Sequence, residues 1–192
     1  MFTKILLCGA SGVGKTTVLN KFKEEGFDVV TEVVRTLVKE KGIKINEMGD
    51  EEGQRMIFDA VSESIKKDYI VADRCWVDVI AYTAWSVNQG KISKSILMPF
   101  IEFFVNSMTY QENKVLFVYF PIEFPVTDDG VRSTDEEYRK SIDDYIKGIL
   151  QESGYHYITV HGTPEERVEQ IKKEVWNSRS SDYDSWRSKW SE

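Results

Sequence analysis

Residues 9–17 read Gly-Ala-Ser-Gly-Val-Gly-Lys-Thr-Thr, which fits the phosphate-binding pattern G-x-x-x-x-G-K-[ST]. No other stretch restricts the fold as much, because this loop works only between a buried strand and a helix. Both flanks are present. Ile5, Leu6, Leu7 and Cys8 form an apolar run before it, and Val18, Leu19 and Phe22 repeat at helical spacing after it. The glycines let successive backbone N–H groups curl around an anion without Cβ clashes. A helix starting near Gly14 points its positive end at the same anion. Lys15 then reaches the β- and γ-phosphates of a nucleotide, and the Thr16 hydroxyl ligates Mg²⁺. Gly9, Ala10, Ser11, Gly12, Val13, Gly14, Lys15, Thr16 and Thr17 are the expected nucleotide-binding segment.

The rest of the chain supports one α/β domain. Its 192 residues are enough for a good-sized core. A net charge of −7 argues against a broadly basic nucleic-acid face, though not against a local basic cleft. Cys8 and Cys75, the two cysteines, sit in or beside apolar strands and read as buried thiols in a reducing compartment. The cysteines lie far from each other and from His156 and His161, so together they make no zinc pattern. The N-terminal apolar run leads straight into the loop and reads as neither a signal peptide nor a membrane span. The expected location is the cytoplasm, or a host's cytoplasm for a phage-encoded chain.

Hydrophobic periodicity and cap signals set the order of elements. Strands are expected at 3–8, 27–30, 69–72, 115–120 and 156–160. Helices are expected at 14–25, stopped by Gly26, and at 31–41, stopped by Gly42. Asp50 caps a helix carrying Met56, Ile57, Ala60, Val61 and Ile65. Val77, Ile80, Ala81, Ala84 and Trp85 line another that closes at Gly90. Residues 92–108 read as helical with a break at Pro99. A capping box of Thr134 and Glu137 opens the helix bearing Tyr138, Ile142, Tyr145, Ile146 and Ile149. Thr163, Pro164 and Glu166 open the last helix, lined by Val168, Ile171 and Val175. This alternation predicts a parallel sheet with helices on both faces, whose ligands bind at the carboxyl ends of the strands. Gly9, Glu32, Asp73 and Pro121 fall there. Residues 1–177 form the expected domain, with a lid at about 121–135. In the tail, 178–192, Tyr183, Trp186 and Trp190 recur at spacings of three and four. They suit either docking on the domain or contact with a partner.

The candidate chemistry gathers at those strand ends. Asp73 can hold Mg²⁺ or face an acceptor hydroxyl, and Arg74 can neutralise phosphate oxygens. Asp78 and Tyr82, four apart on one helix face, can contact a polar substrate. Glu32 can orient or deprotonate an acceptor hydroxyl, or simply pair with Arg35 one turn on. Arg132 in the long polar loop and Arg139 behind it are candidate lid arginines. Which of Glu32 and Asp73 is the base stays open. A loop of this kind also serves GTPases and ATPase machines. Asn-Lys occurs at 20–21, followed by Phe22-Lys23, and at 113–114, followed by Val115-Leu116, so the guanine motif N-K-x-D is absent and ATP is the expected donor. A large ATPase of the AAA type needs an extra helical domain for which the chain has little room.

Taken together, residues 9–17, Glu32-Val33-Val34-Arg35, Asp73-Arg74 with Asp78 and Ala81-Tyr82, and Asp129-Gly130-Val131-Arg132 resemble one family of P-loop kinases. It is an AAA-labelled group similar to the nicotinamide riboside kinase domain of NadR, with phage relatives that phosphorylate 5-hydroxymethyluracil in DNA. The similarity spans about residues 3–176. It implies a P-loop NTPase fold with a five-stranded core, ATP as donor, Mg²⁺, and a nucleoside-like acceptor. That acceptor is a nucleoside, a nucleotide or a modified base in DNA. The protein is expected to be a monomer or a homodimer. A nucleotide-binding ATPase or switch with water as its only acceptor is the alternative from another class.

Overall fold

Strand β1 (Lys4–Cys8) is buried along its whole length, as is β4 (Val115–Tyr119). Two such uniformly buried strands must lie inside a sheet covered on both faces. In the computed structural model, which describes residues 2–68, 70–111, 114–125 and 133–177, they are neighbours. Five strands run in the order β2-β3-β1-β4-β5, and every pairing is parallel. On the other side of β1 lies β3 (Ile70–Ala72), and the edge strands are β2 (Val29–Val30) and β5 (Tyr157–Thr159). The expected fold class, α/β with a five-stranded parallel sheet, is observed.

Parallel strands need crossovers, and here each is helical. The helices are α1 (Lys15–Glu24), α2 (Val33–Lys41), α3 (Glu51–Ser64), α4 (Trp76–Asn88), α5 (Leu97–Thr109), α6 (Glu136–Ser153) and α7 (Pro164–Asn177). They pack in two groups: α1 against α7, and α4 against α3, α5 and α6, with α2 against α3. Lys4, buried in β1, closes the end of α3. Its Nζ donates to the carbonyls of Ile65, Lys66 and Lys67 at 2.9, 2.9 and 3.0 Å, satisfying orphan carbonyls at a helix terminus.

Several local expectations hold. The Asp50 side chain accepts from Gly53 N at 2.9 Å. Thr163 and Glu166 form a reciprocal capping box at 3.2 and 2.7 Å. Others shift. Phe27 lies before β2 and packs edge-on against Phe22 at 5.1 Å. Pro99 does not break a helix. It sits in the first turn of α5, where the amide it lacks would have no intrahelical partner, and a short 3₁₀ turn at Lys94–Ile96 precedes it. The α6 cap is Asp135, which accepts from Tyr138 N at 2.9 Å, not Thr134. Tyr69, Asn113, the stretch 126–132 with Arg132, and the aromatic tail 178–192 lie outside the described residues. No helix among the described residues is long and apolar enough to cross a membrane.

Candidate active site

The loop leaves β1 at Gly9, and the next strand makes glycine necessary there. A Cβ on Gly9 would lie 2.6 Å from the Phe120 carbonyl oxygen just past β4, at a φ of 151°. Gly14, at φ 90°, ends the loop as the cap of α1. The Lys15 ammonium is buried and donates to the carbonyls of Gly9 at 2.5 Å and Ala10 at 2.9 Å. Burial lowers its pKa, and the nearby carboxylates of Asp78 and Asp73 oppose that shift. In the next position, the Thr16 hydroxyl donates to the Asp73 carboxylate at 2.5 Å.

Asp73 comes from the end of β3, and its amide donates to Val30 of β2 at 3.0 Å. That bond draws the start of α2 to the same place. Glu32, the N-cap of α2, adopts the left-handed conformation at φ 61°, which costs a residue with a Cβ about 1–2 kcal/mol. Asn46, the other non-glycine residue with positive φ among those described, has φ 56°. Both line one open cavity of about 310 Å³ with the loop, Asp73 and Arg74. Strained backbone of this kind collects at sites that bind or react. The Thr31 hydroxyl, in the same wall, is buried and has no hydrogen-bond partner in the structure. Arg35 also lines the cavity, and its Nε lies 3.4 Å from Glu32.

Three of the expected site residues stand elsewhere. Asp78 is fully buried behind the loop, not in the cavity wall. Its carboxylate accepts from Gly9 N at 3.0 Å and from Cys75 N at 3.1 Å, so it joins the first peptide of the loop to the start of α4. Burial raises its pKa, against the charges of Lys15 and Arg74. Tyr82 is buried too, with the Arg74 guanidinium 5.4 Å from its ring centroid. Neither side chain is placed for the substrate contact expected of it. Arg139 is also buried, and its Nε donates to the Ser11 carbonyl at 2.8 Å and its Nη1 to the Phe124 carbonyl at 3.0 Å. It grips the loop from behind and is not a side chain free to swing as a lid.

The structure adds residues that sequence reasoning missed. Arg167 of α7 is 2% exposed and donates to the Val13 carbonyl at 2.7 Å and to Glu123 at 2.5 Å. Phe124, Pro125, Gly162 and Pro164 extend the cavity beside it. One signal was available. Arg167 stands four residues before Ile171 on the buried stripe of α7, so an arginine occupies a core-facing position. No cluster of three or more His, Cys, Asp or Glu residues able to hold a metal occurs among the described residues.

The comparisons with known proteins agree with this architecture. Residues 4–167 match a family model described as an AAA domain. Deoxyadenosine kinase from M. mycoides with bound dATP is similar in structure, with a TM-score of 0.65 at 16% identity over 90% of this chain and 98% of that one. NadR in complex with NAD and AMP-PNP gives a TM-score of 0.68 at 11% identity, covering 95% of this chain and 52% of that one. Shikimate kinase from Aquifex aeolicus gives 0.55 at 16% identity, covering 91% and 96%. At these identities the likeness is one of fold. The curated proteins contain no significant match.

Proposed function

The chain belongs to this AAA domain family, and from that premise we propose that it is an Mg²⁺- and ATP-dependent kinase that phosphorylates a hydroxyl of a nucleoside-like acceptor. One observation carries the reading. A single cavity joins the phosphate-binding loop to a second polar wall made by Thr31, Glu32, Arg35, Asn46 and Arg74. An enzyme whose only acceptor is water does not need that wall. The deoxyadenosine kinase and NadR structures, solved with dATP and with NAD and AMP-PNP, share the fold and favour a nucleotide in the loop.

In this reading the loop amides and Lys15 hold the β- and γ-phosphates. The Thr16 hydroxyl and the Asp73 carboxylate, already in contact, offer two oxygen donors. That set suits Mg²⁺, which takes one or two protein oxygens and fills its shell with phosphate oxygens and water. Bound there, the ion would neutralise charge on the phosphoryl oxygens. Glu32 faces the acceptor side and orients or deprotonates its hydroxyl, with Asp73 as the other candidate. Arg74 adds positive charge beside the transferred group. Arg132, outside the described residues, is the lid arginine of this reading, and the cytoplasm is its setting.

A screen of ATP consumption over nucleosides, nucleotides and DNA containing 5-hydroxymethyluracil tests the proposal. Consumption stimulated by a free nucleoside or nucleotide supports it. Stimulation by the modified DNA alone would move the acceptor from a small molecule to DNA. Consumption indifferent to every acceptor would leave an ATPase or nucleotide switch.

A further inference from the structure

The phosphate-binding loop is flexible by composition. Gly12 and Gly14 take positive φ values of 74° and 90° and have no Cβ to stop their peptide planes from turning over. A loop like this binds phosphate well only if its N–H groups already face inward, because fixed donors cost no reorganisation when the anion arrives. Something must therefore hold the peptides.

The structure provides that restraint with three cationic side chains. The Lys15 ammonium holds the Gly9 and Ala10 carbonyls. Arg139 Nε holds the Ser11 carbonyl at 2.8 Å, and its Nη2 lies 3.5 Å from that of Gly12. Arg167 Nη1 holds the Val13 carbonyl at 2.7 Å. Every carbonyl from Gly9 to Val13 thus accepts from a cationic side chain. In a trans peptide the carbonyl of one residue and the N–H of the next point in opposite directions. Carbonyls of Ser11, Gly12 and Val13 tied outward leave the N–H groups of Gly12, Val13 and Gly14 aimed the other way.

Both guanidiniums are 2% exposed, and burying such a charge is costly unless it is well hydrogen-bonded. Each is. Arg139 also meets Glu136 at 3.1 Å and the Phe124 carbonyl. Arg167 meets Glu123 and packs on the Phe120 and Phe124 rings, with centroids at 5.2 and 5.8 Å. A planar fork that spans a carbonyl and a carboxylate is a task for arginine, since a lysine ammonium is a point donor. The same two residues break the apolar stripes of α6 and α7, where packing alone would favour a hydrocarbon side chain.

We infer that Arg139 and Arg167 are positioning residues that preset the loop for phosphate by holding the carbonyls of residues 11–13 outward. The inference rests on the phosphate-binding reading of that loop. Arg139 is the cleaner case, because it does not line the cavity and can act on a ligand only through the loop. Arg167 does line it and adds a positive charge beside the phosphates.

The test uses inorganic tripolyphosphate, which fits only the phosphate cradle, and ATP, with binding measured by calorimetry on the full chain. Thermal melts correct for any unfolded fraction. Arg139→Met and Arg167→Met are expected to weaken both ligands by about 10-fold or more, and Arg139→Lys to recover part of the loss. A purely structural role would lower the melting temperature and leave the affinity of the folded fraction unchanged. Folded methionine variants with wild-type affinity would overturn the inference. Should those variants fail to fold, the lysine variants decide: several-fold weaker binding supports it, and wild-type affinity overturns it. A wild-type protein that binds neither ligand would instead remove the phosphate-site reading on which it stands.

Discussion

The Thr16 hydroxyl and the Asp73 carboxylate meet at 2.5 Å although 57 residues separate them. The contact follows from the sheet. β1 and β3 pair in parallel, with Leu6 opposite Ala72, so the loop after one strand and the residue after the other emerge side by side. In the kinase reading these two oxygens hold the metal. Asp73→Asn should then raise the Mg²⁺ concentration needed for half-maximal rate by about 10-fold, while metal-free nucleotide binding changes little. Titrating the initial rate with Mg²⁺ checks this; an unchanged midpoint would remove Asp73 from the metal site.

Lys15 is expected to matter more for rate than for folding. Its ammonium donates to two loop carbonyls in the free protein, and phosphate oxygens would replace them as acceptors. Lys15→Ala should lower turnover by on the order of 10²-fold or more. Its circular dichroism should stay that of the wild type. A well-folded variant with full turnover would sink the phosphate role of the loop.

Glu32 separates stability from activity. Its backbone is left-handed, and its pair with Arg35 is exposed on both sides, so the side chain contributes little to folding. Glu32→Gly should keep or raise the melting temperature, since glycine takes this conformation without the roughly 1 kcal/mol strain. Glu32→Gln should cut phosphoryl transfer and leave ATP affinity nearly intact. Losing ATP binding in step with transfer would place Glu32 on the donor side instead.

Acid should loosen the support behind the loop. Burial pushes the Glu123 carboxyl up, but hydrogen bonds from His161 and Arg167 outweigh it and hold the group below its ordinary value. A carboxyl depressed in the folded state stabilises the protein above its unfolded pKa of about 4.3 and loses that contribution as pH falls through the folded value. Melting temperatures followed below about pH 5 should drop less steeply for Glu123→Gln than for the wild type. Parallel curves would show that this carboxylate is not linked to folding.

Much of the fold was legible because its signals are local. The glycine pattern at residues 9–17 and the apolar run of β4 can be read without knowing the neighbours, and the Asp50 and Thr163 caps act within one turn. The errors came where a partner distant in sequence decides. Asp78 looks like a surface helix carboxylate until the Gly9 amide is brought to it. Arg139 reads from sequence as a lid candidate and Arg167 as an ordinary helix charge, but each reaches a loop carbonyl more than a hundred residues away. Cap position at α6 turned on one residue, since Ser133, Thr134 and Asp135 can all cap and only tertiary packing chooses among them. The Thr16–Asp73 pairing was anticipated in role, because both strand ends were predicted, but its closeness depended on β3 lying beside β1.

The central claim is that the cavity transfers the γ-phosphoryl group to a hydroxyl other than water. The direct measurement follows the fate of the γ-phosphate of labelled ATP with Mg²⁺ and the most stimulating acceptor, separating labelled acceptor from free phosphate. The account predicts that label appears on the acceptor in step with ADP formation, that the acceptor gains the mass of one phosphoryl group, and that Lys15→Ala slows both by on the order of 10²-fold or more. Label released only as inorganic phosphate, at the same rate with and without acceptor, would contradict it.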